Sequence, residues 1–78
     1  MIRLFGKSAI GIFVIEETGG GIYLYSFPNA GIEGDTWHQS IDDAKAQARQ
    51  QFGISASEWS PVPESVTDLR SFAKEISN

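Results

Sequence analysis

Apolar positions follow three different periods along the chain, and each period marks a different kind of element. From Ile10 to Ile15 nearly every position is apolar. That is the pattern of a strand covered on both faces, or of a central strand in a small sheet. Ile22 to Phe27 alternates instead, with Ile22 and Leu24 on one face and Tyr23, Tyr25 and Phe27 on the other. Glu17-Thr18-Gly19-Gly20-Gly21 lies between them and supplies residues that tolerate positive φ, which predicts a hairpin turn. Pro28-Asn29-Ala30-Gly31 is a second turn signal. Ile2 to Phe5 alternates weakly and reads as a short edge strand broken by Gly6-Lys7-Ser8. Ile32 to Trp37 reads as a third strand of the meander, with Gly34 as its weak point.

A 3.6-residue period begins after Ser40. Ile41, Ala44, Ala48 and Phe52 form one stripe, while Asp42, Gln47, Arg49 and Gln50 lie mostly off it. Ser40 followed by Asp43 is a capping box with the shorter acid, and Asp42 and Asp43 complement the helix dipole. Gly53 predicts a left-handed cap at the far end, with Ile54 folding back on the last turn. Ser55 and Glu58 repeat the capping spacing, but Pro61 and Pro63 leave room only for a single turn and a short extended segment around Trp59 to Val62. Ser65 with Asp68 opens a last helix whose stripe is Val66, Leu69, Phe72, Ala73 and Ile76. The predicted order is β-β-(β)-α-β-α. This is an α+β domain in which an antiparallel meander of three to four strands packs with two helices, one domain over residues 1–78.

Composition narrows the functional classes. A hydrophobic fraction of 41% and a charged fraction of 21% exclude wholesale disorder. Six basic residues against ten acidic ones leave a net charge of −4, which argues against binding a nucleic-acid backbone. No cysteine is present, so disulfides, thiolate metal sites and cysteine nucleophiles are excluded. Arg3 and Lys7 ahead of Ala9 to Ile15 superficially resemble a leader peptide. The run is short and β-branched, Glu16-Glu17 follow at once, and no small-residue cleavage site appears, so it reads as a buried strand. No segment approaches the roughly 20 apolar residues that span a bilayer. The expectation is a cytoplasmic protein with no membrane contact.

Two resemblances attach to particular residues. Tyr23-Leu24-Tyr25, then Gly34-Asp35-Thr36-Trp37-His38, then Asp43-Ala44, Ala48, Phe52-Gly53-Ile54 and Trp59 resemble a group of small bacterial proteins of uncharacterised function. Those proteins share a Gly-Asp-Thr-Trp-His turn before an alanine-rich helix. The likeness covers about residues 21 to 62 and implies a small α+β fold with no established activity. Phe27-Pro28-Asn29-Ala30-Gly31 and Ser40-Ile41-Asp42-Asp43-Ala44 are similar, more weakly, to the turn and helix opening of HicB-type antitoxins. That resemblance implies a cover for a small basic toxin. This chain departs from the pattern by four to five extra residues between Gly34-Asp35 and the helix, and by having no basic C-terminal extension. Both departures weigh against DNA binding.

Candidate chemistry is sparse. Asp35, His38 and Ser40 bring the residue types of a hydrolytic triad within six positions, which makes a small hydrolase using Asp35 and His38 the enzymatic alternative. Neighbours this close on one turn rarely satisfy both hydrogen bonds a triad needs, and Ser40 has better use as the helix cap. The expected arrangement is a tight turn in which Asp35 or Thr36 bonds backbone amides and His38 sits partly exposed. Glu33, Asp35, Asp42 and Asp43 lack calcium-loop spacing, and the glycines at 19 to 21 lack the lysine and helix of a phosphate loop. No catalytic set, metal, cofactor or small-molecule ligand is expected.

The aromatic row is the better lead. If a helix covers its face, Tyr23, Tyr25 and Phe27 belong to the core; if both helices pack over Ile22 and Leu24 instead, the row stays uncovered. Trp59 near Pro61 reads as a core plug, and Trp37, just before a helix, as a surface residue. Tyr23, Tyr25 and Trp37 are therefore expected at a protein contact, in a homodimer or with another protein. Base stacking on this row is disfavoured by the acidic balance. A charge at Tyr25 should weaken association and spare the fold. The expected function is a non-catalytic interaction module, with an antitoxin-like inhibitor as the alternative.

Overall fold

A computed structural model describes residues 2–77. The continuous apolar run becomes β2, Gly11–Thr18, and Ile12, Phe13, Val14 and Ile15 are all buried on it. It pairs antiparallel with β1, Arg3–Ser8, and with β3, Gly21–Pro28, while β3 also pairs with β4, Gly34–His38. A two-residue strand β5, Ser60–Pro61, joins β1 on its outer side. The sheet order is β4-β3-β2-β1-β5, so β2 is central. It is also covered on both faces, which is why it tolerates apolar residues at successive positions.

Helix α1, Ile41–Phe52, lies on one face. Ala44 and Ala48 bring it close to Phe13, Ile15, Ile22 and Leu24, and Ile54 completes that cluster. Phe52 stacks on Phe13 with ring centroids 4.3 Å apart. Helix α2, Leu69–Ile76, lies on the opposite face, where Phe72, Leu69 and Ile76 join Phe5, Val14, Val62 and part of the aromatic row. Phe5 meets Phe72 edge to face at 5.1 Å. The helices thus sandwich the sheet, so the arrangement in which both pack over Ile22 and Leu24 does not occur. An eight-residue helix covers only part of its face. Tyr25 and Phe27 are packed against its cluster, and Trp37 lies beyond it, 55% exposed.

Three boundaries differ from the sequence reading. Gly6-Lys7-Ser8 does not break the first strand, which runs to Ser8 and turns at Ala9-Ile10. Gly6 is present because another element approaches closely: a Cβ there would stand 3.0 Å from Ile54 and 3.2 Å from Trp59. Gly34-to-His38 is a strand and no turn; Gly34 only begins it. The last helix starts at Leu69, four residues after Ser65, because the carboxylate of Asp68 accepts from the amides of Arg70 and Ser71. Those bonds hold its pKa below the ordinary carboxylate range, the Ser71 hydroxyl contributing most.

The caps of α1 stand where the sequence puts them. Ser40 Oγ accepts from the Asp43 amide at 3.0 Å, and Gly53 takes φ 72° as the left-handed residue after the last turn. Ser40→Ala should therefore lower stability by about 1 kcal/mol. Gly53→Val should cost about 1–2 kcal/mol through backbone strain alone, since a Cβ there meets nothing within 4 Å. Thermal melts read both, at roughly 4–8 °C per kcal/mol for a domain this small. Two unshifted melting curves would mean that neither residue caps the helix.

Candidate functional site

The antiparallel register between β3 and β4 sets Tyr23 beside Trp37 and Tyr25 beside Asp35 on the face shared with α2. The next strand inward adds Glu16 beside Tyr23. The two tyrosine rings lie 6.1 Å apart and nearly parallel, 20° between planes. The structure thus brings Tyr23, Tyr25 and Trp37 together, as their period-two spacing implies. Trp37 leans over the hairpin: its indole N–H donates to the Gly20 carbonyl at 3.3 Å, and the ring occupies the space a Cβ at Gly21 would need. The glycine run therefore makes a turn and also gives this tryptophan its bed.

Tyr25 connects the row to charge. Its phenol donates to Glu16 Oε1 at 3.2 Å. Burial, then the neighbouring Glu16 and Asp35 carboxylates, push its pKa up to about 12, because each disfavours the phenolate. A shallow depression of 670 Å³ lies between Arg3, Glu16, Tyr25 and Asp35 on one side and Asp68, which caps α2, and Arg70 on the other. The cations beside it are already engaged. Arg3 donates to the Val66 and Pro63 carbonyls at 2.8 and 3.2 Å, and Arg70 pairs with Glu33 at 2.8 Å.

His38 is placed differently from expectation. It is 7% exposed, not partly open, and Asp35 points to the other sheet face. The carboxylate that reaches His38 Nδ1 is Asp43 from α1, at 3.1 Å, while Thr36 Oγ1 lies 2.7 Å from Nε2. Hydroxyl, imidazole and carboxylate thus form a chain with triad-like distances, but from Thr36 and Asp43 rather than Ser40 and Asp35. The depressions between α2 and the sheet, along α1 and beside β5 are lined by neither Thr36 nor His38. The chain accounts for the burial of His38 by satisfying both ring nitrogens, and it ties β4 to the first turn of α1. Sequence spacing alone hides Asp43 because its carboxylate arrives by tertiary approach.

Trp59 packs against the α1 cluster, and its buried indole N–H has no hydrogen-bond partner among the described residues. Among those residues no group of three or more His, Asp or Glu side chains is placed to hold a metal ion. Among the described residues no helix is long and apolar enough to cross a membrane. No family model, curated protein or solved structure matches the chain.

Proposed function

We propose that this chain is a non-catalytic protein-interaction module that meets its partner through Tyr23, Tyr25 and Trp37. The observation that carries the proposal is Trp37: a tryptophan 55% exposed beside Tyr23, on the part of a sheet face that α2 does not reach. Tryptophan and tyrosine supply large contact area at low entropic cost and are enriched where interfaces draw their energy. The acidic carboxylates around the row suit a protein surface better than a nucleic-acid backbone. The proposal places the module in the cytoplasm, in keeping with an apolar run at Ile12–Ile15 that is buried in the core.

The test compares the tagged chain with its Trp37→Ala variant in pull-downs from native lysate. A stoichiometric partner kept by the parent should be lost from the variant, with binding at least about tenfold weaker by titration. The melting temperature should fall by only a few degrees, since Trp37 contributes to neither core cluster and its truncation loses one hydrogen bond and the contact with the hairpin. Retention of that partner at full affinity would refute the assignment.

A further inference from the structure

We propose that the free edge of β4 receives an extended, lysine- or arginine-bearing segment of a partner protein, which adds to the sheet as a sixth strand. The inference rests on the interaction face described above and names what binds there.

The two edges of this sheet are unequal. On one side β5 is two residues long, ends in Pro61 and is followed by Pro63, so it offers few main-chain donors. On the other side β4 has five residues and no proline or lysine, and only His38 is buried. The hairpin register says which groups β4 presents. Thr18 and Gly21 close a two-residue turn and so form a hydrogen-bonded pair. Alternation from that pair directs the main chain of Ile22, Leu24 and Ser26 toward β4, where His38, Thr36 and Gly34 answer it. Asp35 and Trp37 therefore turn their N–H and C=O groups outward. The same two residues raise their side chains on the aromatic face, so an added strand gains main-chain bonds and contact with Trp37 together.

Charge selects the occupant. Residues 8–44 hold no lysine or arginine but six carboxylates, Glu16, Glu17, Glu33, Asp35, Asp42 and Asp43. All six cations of the chain lie outside that stretch. Among the described residues neither Glu16 nor Asp35 has a cationic partner within salt-bridge distance. Antiparallel pairing with a second copy would set two such acidic edges against each other. A strand carrying Lys or Arg beside Asp35 matches the charge, and its cation can lie over the Trp37 ring.

The probe is a capped octapeptide of alternating lysine and threonine, with a glutamate–threonine peptide as control, titrated into the intact ¹⁵N-labelled chain. The lysine peptide should shift the Asp35 and Trp37 amides and the Trp37 indole, and protect both amides from solvent exchange. The glutamate peptide should bind at least about tenfold more weakly. Asp35→Asn should weaken binding. Asp35→Pro should abolish it, because proline removes an outward N–H and leaves the β3 ladder intact. If Asp35→Pro does not fold, amide protection in the parent complex decides the matter. The proposal falls if the two peptides bind alike, if no binding appears at millimolar peptide, or if binding leaves both amides exchanging freely. It also falls if the chain alone dimerises and protects those amides, which would assign the edge to a second copy. Loss of the native partner in Trp37→Ala with edge amides still open would remove strand addition and keep the face. Retention of that partner in both Trp37→Ala and Asp35→Pro would remove both.

Discussion

Phe13→Ala is expected to leave the chain unfolded at physiological temperature. Phe13 is fully buried, lies at the centre of the α1-side cluster and stacks on Phe52 at 4.3 Å. Removing a buried phenylalanine costs about 3–5 kcal/mol, part lost transfer energy and part cavity. A 78-residue chain buries too little surface to be expected far above about 5 kcal/mol in total, so the loss consumes most of its stability. Alanines 44 and 48 already let α1 lie close to the sheet, which leaves the helix little further distance to move in and fill the gap. Circular dichroism reads the outcome directly. A cooperative melt within a few degrees of the parent would show that the cluster collapses around the gap.

Tyr25→Glu is expected to destabilise the isolated domain by about 1–2 kcal/mol, through lost ring packing under α2 and a third carboxylate set beside Glu16 and Asp35. This reverses the reading in which a charge at Tyr25 spares the fold. Tyr25 packs against the cluster under α2, and its phenol is bonded to Glu16, with Asp35 beside it in register. A carboxylate there would face two others, so part of the lost stability should return on acidification. Trp37→Ala, one strand further out, should lower the melt less, and the contrast separates the part of the row that α2 covers from the part it leaves open. The native phenol gives a second readout. Its pKa is raised to about 12 in the folded chain, so the folded state keeps its proton longer than the unfolded state does. The resulting stability is complete below about pH 10, the unfolded value, and is lost as pH rises towards 12. Urea midpoints across that range should fall, and Tyr25→Phe should remove this contribution. An identical slope in Tyr25→Phe would assign the alkaline loss to other groups.

Local chemistry made a large part of this molecule legible in its sequence. Ser40 and Gly53 bracket α1 because capping is decided by residues within one turn of the ends. The run at 19–21 marks a hairpin because glycine frees the backbone for a tight turn, and Leu69, Phe72 and Ile76 share a face because a helix has a fixed period. The buried run at Ile12–Ile15 announces a strand covered on both sides.

Tertiary structure decided the rest. Whether α2 shares a face with α1 or takes the opposite one depends on how the chain crosses the sheet after Trp59, and nothing within one helix encodes that crossing. That choice covers Phe27 and part of Tyr25 and leaves Trp37 open. It also brings Arg70 to Glu33, 37 residues apart in sequence. Gly6 looked like a breaker because the side chains that require it, Ile54 and Trp59, arrive from the far end of the chain. His38 looked exposed because its partner Asp43 meets it only once α1 docks against β4. Periodicity and capping act over a few residues, where the chain's own geometry settles them. Faces, edges and buried polar partners are settled by contacts between distant segments, whose identity follows only from the folded path of the backbone.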